Sequence, residues 1–306
     1  MRPHFPILYE IAWRTYAVNE FGMASFYVLV GDRRGLVIDC GCGSIDARHL
    51  VEELCPLPYD VVLTHAHGDH AGAMSQWDSV WIHPDELPLD LDRMAEQLWE
   101  NPAIWKGAHE RGIPAKNPAG GDWDYPNLDW GAKEYYDFSQ VKFMGFKKLP
   151  AFRSLAEGQV FDLGGRTVEV LHTPGHTLGG CCFIDRRERI LFSGDSCNYN
   201  CGAGRVSVNT VLKSFLKLDA NRAKFDRNFN GHLAPHSDTA GLSMPASTLD
   251  DCLWICRALL AGTVPYHEMP ARKLLPNAKM AYVVHGAVRF AFDSNRMIDA
   301  GETPAE

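Results

Sequence analysis

The run His65-Ala66-His67-Gly68-Asp69-His70 constrains this chain more than any other stretch, because it sets three imidazoles and a carboxylate within six residues. In an extended segment, side chains two apart project the same way, so His65 and His67 can grip one ion while Asp69 and His70 address a second. Imidazole nitrogen and carboxylate oxygen suit borderline metals such as zinc, and a catalytic zinc keeps a position open for water. Residues 59–64 before the motif are apolar and β-branched and read as a buried strand, and 71–77 after it read as a short helix. The histidines therefore belong to a strand-to-helix loop, where a rigid scaffold commonly presents functional groups.

His-x-His-x-Asp-His after a strand ending in Thr64 resembles the signature of the metallo-β-lactamase superfamily, and the rest of that family's pattern follows in order. Asp39, in Leu36-Val37-Ile38-Asp39-Cys40-Gly41, matches the carboxylate that ends an early strand. The resemblance gives it the task of accepting the free ring N–H of a ligating histidine, which fixes tautomer and orientation. His176, in Thr173-Pro174-Gly175-His176-Thr177, matches the third histidine of the first metal, and Asp195, in Ser193-Gly194-Asp195-Ser196, matches the carboxylate bridging both. His232, in Asn230-Gly231-His232-Leu233, matches the last histidine of the second metal. The likeness runs over residues 7–292 and implies an α/β fold, a four-layer αβ/βα sandwich, built as a single domain over 1–306. It also implies two divalent metal ions, zinc first, with iron or manganese as alternatives.

Other histidines compete with this set. His236 and His285 rival His232, but the Gly-His pair after 226–230 favours His232, and His285 lies in an alternating strand and reads as structural. His4, His49, His83, His109, His172 and His267 lack ligand spacing, although His172, four residues before His176, could line the site.

Two ions would lower the pKa of a shared water, polarise a carbonyl or phosphoryl oxygen and neutralise the departing anion. Asp69 would carry the nucleophile's proton to the leaving group. An aspartate at 195 is similar to hydroxyacylglutathione hydrolases and acyl-homoserine lactonases, whereas true β-lactamases of the family place cysteine or serine there. The expected reaction is hydrolysis of an ester-type bond in a lactone, thioester or other carboxylic ester. A phosphodiester or sulfate-ester hydrolase is the next reading, and a mononuclear iron enzyme like the persulfide dioxygenases is the oxidative rival. Flavodiiron proteins generally carry glutamate where this chain has His67. Against a glutathione thioester stands the lack of a basic cluster near the C-terminus, where Arg272 and Lys273 are the only close pair. No Gly-x-Ser-x-Gly elbow offers a serine nucleophile with suitable partners.

A net charge of −8, from 30 basic and 38 acidic residues, gives no general attraction to nucleic acid. No apolar run approaches the ~18 residues of a membrane span, and the first residues show no signal core, so a cytoplasmic protein acting on a small-molecule substrate is expected, homo-oligomeric or not. Nine cysteines form no Cys-x-x-Cys pair, which reads as reduced, mostly buried thiols; Cys197 and Cys201 lie near Asp195 in sequence. The stretch 85–153 is rich in aromatics, including Trp99, Trp105, Trp123, Trp130 and Tyr135. It is too aromatic for a disordered linker and reads as a helical insertion with these rings as its own core, with a lid over the active site as the alternative reading. Elsewhere strands are expected over 7–16, 25–30, 35–39, 167–171, 181–185, 190–193 and 280–292, with helices over 47–54, 208–218 and 247–260.

Overall fold

The computed structural model describes residues 6–20, 24–92, 94, 148–203, 205–232, 243–270 and 277–305. Trp99, Trp105, Trp123, Trp130 and Tyr135 of the 85–153 stretch lie outside them, as do His4, His109, His236, Arg272 and Lys273.

Seven strands form the first sheet in chain order: β1 (Ile7–Ala12), β2 (Thr15–Glu20), β3 (Ala24–Val30), β4 (Gly35–Ile38), β5 (Tyr59–Val62), β6 (Ser79–Ile82) and β7 (Ala151–Ser154). β1 to β4 are antiparallel, and β4 to β7 run parallel. The last three positions of the 85–153 stretch thus belong to this sheet. The second sheet has β8 (Val160–Asp162), β9 (Thr167–His172), β10 (Cys181–Asp185), β11 (Ile190–Gly194) and β13 (Arg227–Asn230), ordered β13-β11-β10-β9-β8. A third, smaller sheet joins β12 (Asn200–Ala203), β16 (Val288–Asp293), β15 (Met280–His285) and β14 (His267–Glu268).

Side-chain alternation sorts these strands into three cores. β3 is buried along its whole length. Its Phe26, Val28 and Val30 pack outward with Val37, Ala47 and Val51. Tyr27 and Leu29 point the other way, onto Val168, Phe183 and Phe192 of the second sheet. In β10 the same period sends Phe183 inward, and Cys182 and Ile184 outward against Val211, Phe215, Cys252 and Ile255. A strand buried on both faces needs a cover on each, and helices supply the outer two. Helix α1 (Ala47–Leu54) covers the first sheet; α3 (Val208–Ala220) and α4 (Ser247–Leu260) cover the second. The result is the expected αβ/βα sandwich. Asp46 caps α1 by accepting from His49 N–H, and Ser207 caps α3 by accepting from Thr210 N–H, satisfying amides that a helix start leaves unpaired. Among the described residues no helix is long and apolar enough to cross a membrane.

Three expected elements differ in detail. The strand over 7–16 is a hairpin, turning at Trp13-Arg14, with Arg14 at φ 49°. No glycine marks the turn. The closing strand over 280–292 is also a hairpin, in which Gly286 adopts φ 55° and a Cβ would collide with the Asp251 carboxylate. The helix over 71–77 starts earlier, as α2 (Gly68–Ala71), followed by a 3-10 turn at Met74–Gln76. Gly72 N–H donates to Gly41 O at 2.8 Å, leaving the helical ladder for the loop after β4. All nine cysteines are buried free thiols.

Glu302 ties the segment beyond β16 to the start of α3. Its carboxylate accepts from Ser207 Oγ, from Thr210 Oγ1 at 2.8 Å and from Asp299 N–H at 3.0 Å. Burial pushes the carboxyl up, but these donors outweigh it and hold it at about 2, below its ordinary 4.5. A depressed folded value means stabilisation present above about 4.5 and lost as pH falls through about 2. Glu302→Gln should therefore lower the stability of the fold by about 1.5–3 kcal/mol at pH 7, the scale of hydrogen bonds to a charged group. Urea melts at pH 7 and pH 3.5 check it: the gap between the two proteins should narrow in acid, and a gap of constant size contradicts the assignment.

Candidate metal centre

Strand direction gathers the functional residues at one edge. β4 and β5 run parallel, and their carboxyl ends deliver Asp39 and the 65–70 loop. β9 and β11 are each antiparallel to β10, and β13 is parallel to β11. Their carboxyl ends therefore share a side and lead to His176, Asp195 and His232. Cys181 N–H donates to Thr64 O at 2.8 Å and joins the two sheets beneath this edge.

All seven expected ligands come together there. His65, His67 and His176 form one group whose ligand atoms lie within 4.8 Å of one another; Asp69, His70 and His232 form another, and His65, His70 and Asp195 a third linking the two. His176 Nε2 is 2.9 Å from His67 Nδ1 and 3.4 Å from Asp195 Oδ2. On the other side Asp195 Oδ2 is 3.1 Å from His232 Nε2, and Oδ1 is 3.6 Å from His70 Nε2. Asp69 Oδ2 stands 3.5 Å from His70 Nε2 and 3.7 Å from His232 Nε2. His65 and His70 are buried at the floor, while His176 and His232 are a quarter to a third exposed at the mouth.

His65 Nε2, His70 Nε2 and Asp195 Oδ1 are fully buried yet have no hydrogen-bond partner. An unpaired buried polar atom costs about 1–3 kcal/mol, and three converging on one point are what residues shaped around a cation would leave. The charges agree. Burial, then the neighbouring imidazoles, push His65 well below its ordinary pKa, which leaves a neutral ring with a lone pair to donate. His67 is lowered in the same way, by burial and then by His176. Burial also disfavours a charged His70, but Asp69, Asp195 and Asp39 prevail and raise it to about 10. Three carboxylates thus demand a cation, which protonated His70 supplies and a metal ion would supply instead. Nitrogen and oxygen donors in this mixture suit zinc, iron or manganese.

Asp39 lies behind the donors. Its Oδ2 faces His70 Nδ1 at 3.4 Å, and its two oxygens accept from Thr64 N–H at 2.7 Å and Thr64 Oγ1 at 2.8 Å. Thr64 Oγ1 is in turn 3.0 Å from His65 Nδ1. Asp39 adopts φ 62°, a left-handed conformation that aspartate tolerates better than most residues. Before Asp195, Gly194 has φ 50°, and a Cβ there would lie 2.7 Å from Thr64.

His172 supports the site from outside it: its ring stacks on His83 at 3.8 Å, and Nε2 is 2.9 Å from Leu178 O. His285 stacks on Trp254 at 3.7 Å, away from the centre. Cys197 lies in the core with α4, and Cys201 there approaches Cys252 with 3.7 Å between sulfurs. Cys201 also reaches a cavity of about 400 Å³ beside His67 and His176, whose wall includes Glu86, Leu178, Arg205 and Met280. Sequence reasoning missed Glu86 and Arg205. The available signal for Glu86 was position: it follows β6, a parallel neighbour of the strand that carries the histidine motif.

The model of the Metallo-beta-lactamase superfamily matches residues 19–224. Among curated relatives, an acyl-coenzyme A thioesterase, MBLAC2 of Gallus gallus, is 29% identical over 205 residues, covering 63% of this chain and 64% of the relative. The atrochrysone carboxyl ACP thioesterase nsrC of Aspergillus novofumigatus is 27% identical over 207 residues, covering 66% of this chain and 47% of that one. The match thus spans less than two thirds of either relative. Among solved structures, a double mutant of the sec-alkyl sulfatase PisA1 superposes with a TM-score of 0.55 over 83% of this chain and 42% of its own, at 14% identity, a likeness of fold alone.

Proposed function

The chain belongs to the metallo-beta-lactamase superfamily, and from that premise we propose that it is a metal-dependent hydrolase of ester-type bonds, with an acyl thioester as the preferred substrate. The convergence of unpartnered His65 Nε2, His70 Nε2 and Asp195 Oδ1 carries the reading. His65, His67 and His176 would hold one divalent cation and Asp69, His70 and His232 a second, with Asp195 placed to serve both. Cations held by these residues would supply an acidified water and a Lewis acid for the acyl oxygen. Asp39 orients His70 from behind, as carboxylates beside ligating histidines do. Asp69 is 15% exposed, on the open side of the centre. Its Oδ2 takes the proton released as water adds to the acyl carbon and returns it to the departing thiolate when the carbon–sulfur bond breaks.

The named thioesterases among the relatives support thioester over lactone. The cavity supports an acyl group with an anionic partner: Leu87, Leu178 and Met280 offer apolar wall, and Arg205 brings a positive charge close enough to act on His67.

The test is a panel comprising an acyl-CoA thioester, a lactone and a phosphodiester, presented to zinc-loaded protein. Thioester turnover with two zincs per chain is expected, and Asp69→Asn should lower it by about 10²–10⁴-fold, the usual contribution of a positioned acid–base group. Exclusive phosphodiesterase turnover refutes the assignment, and a single iron with oxygen consumption replaces it by the oxidative one. An Asp69→Asn rate equal to wild type removes Asp69 from the proton path.

A further inference from the structure

Glu86 closes the 3-10 turn Pro84–Glu86 that follows β6. It divides its carboxylate between two loops: Oε2 accepts from Ala66 N–H at 2.9 Å, and Oε1 accepts from Gly179 N–H at 2.8 Å. Ala66 lies between His65 and His67, and Gly179 lies three residues beyond His176. One side chain therefore connects the two segments that contribute the three imidazoles of the first group. The fit is close, since a Cβ on Gly179 would stand 2.7 Å from Glu86 Cγ and 2.9 Å from its backbone nitrogen. The turn is also braced, because His83 at its N-terminal side stacks on His172, which in turn contacts Leu178 O in the His176 loop. Glu86 belongs to none of the side-chain groups that could hold an ion among the described residues.

We infer that Glu86 is a positioning residue for the first cation: by binding Ala66 N–H and Gly179 N–H at once, it fixes the spacing of His65 and His67 against His176. A charged acceptor suits the task, since hydrogen bonds to an ionised group are about twice as strong as neutral ones, and one planar carboxylate serves two amides arriving from different directions. Without it each loop keeps its fold on its own sheet, but the three nitrogens must find their common centre anew each time an ion binds. The inference rests on the first group holding a cation, as proposed above.

Glu86→Gln keeps one acceptor oxygen but sets an NH2 against the other amide, so it holds only one loop. Glu86→Ala holds neither, and Gly179→Ala keeps the carboxylate while displacing it. The readouts are zinc affinity by chelator competition, the visible spectrum of the cobalt-substituted protein, and the melting temperature without metal. Expected are metal-free melting temperatures close to wild type, zinc affinity lowered by about 10–100-fold, the range for loss of a supporting partner, and altered cobalt bands, with Glu86→Gln between wild type and Glu86→Ala. Wild-type affinity and cobalt spectrum in all three variants overturn the inference. A wild-type protein that takes up no zinc or cobalt fails differently, because it removes the metal centre itself. Should Glu86→Ala not fold, Glu86→Gln and Gly179→Ala carry the same comparison.

Discussion

If the chain is the dinuclear thioesterase proposed above, Asp195→Asn should reduce zinc uptake from two ions per chain to at most one and lower thioester turnover by more than about 100-fold, beyond the effect of losing a mere supporting partner. No other side chain of the centre touches both halves so evenly: Oδ2 lies 3.1 Å from His232 Nε2 and 3.4 Å from His176 Nε2, and Oδ1 lies 3.6 Å from His70 Nε2. Asparagine preserves this shape while changing the chemistry twice. It removes one of the negative charges that give the site its affinity for cations, and it turns one acceptor into an NH2 that must point at an imidazole nitrogen or an ion. The loss should be local, because Asp195 follows the Gly194 bend and its side chain is 9% exposed, facing the cleft. Native mass spectrometry for metal content, with metal-free melting as the control for folding, separates the outcomes. Two zincs with wild-type turnover in Asp195→Asn would refute a shared carboxylate. A zinc content of one with turnover retained would show that a single cation suffices.

The residues of this centre were unevenly legible in the sequence. His65 to His70 could be read directly because the donors are local and the strand before them is marked by its own residues. His176, Asp195 and His232 could be placed only by the order of motifs, since the contacts that join them to the 65–70 loop cross more than a hundred positions. Glu86 escaped altogether: its role is defined by two backbone N–H groups, 20 and 93 residues away, and a backbone amide has no residue type to recognise. The fold shows the same division. The helix over 47–54 matches its expected bounds because Asp46 caps it and Val51 follows Ala47 on its buried face. The turn at Trp13-Arg14 was invisible because its left-handed residue is an arginine, whereas Gly286 offered a turn signal between two alternating arms. β12 pairs with β16 across 89 residues, a partnership that no local pattern announces.

Arg166 carries the same lesson for stability, and its replacement should have the largest effect on folding: Arg166→Met should destabilise the protein by about 3–5 kcal/mol. In sequence it is one arginine among many surface ones, yet its side chain has no solvent exposure, and neither has that of its partner Asp185. Nε donates to Asp185 Oδ2 at 2.8 Å, Nη2 to Thr15 Oγ1 at 2.7 Å, and Nη1 to Arg14 O at 3.2 Å. It thereby joins β2 of the first sheet to β10 of the second at the end of the sandwich opposite the metal centre, since Arg166 precedes β9 and His176 follows it. The gain from such a pair over a well-packed apolar one is small, but removing one member strands a charge where water cannot reach it. A loss of 3–5 kcal/mol is a large part of the ~5–15 kcal/mol that holds a typical domain together. The double variant Arg166→Met with Asp185→Leu removes the stranded charge and should recover part of the loss, less the two backbone N–H bonds that Asp185 Oδ1 accepts from Arg187 and Glu188, and the coupling in a double-mutant cycle measures the pair itself. Urea denaturation of metal-free protein gives the four values. A single variant within about 1 kcal/mol of wild type would mean that water reaches Asp185, and a double variant no better than the single would locate the cost in the other lost bonds, those of Arg166 to Thr15 and Arg14 and those that Asp185 Oδ1 accepts from Arg187 N–H at 3.0 Å and Glu188 N–H at 3.3 Å.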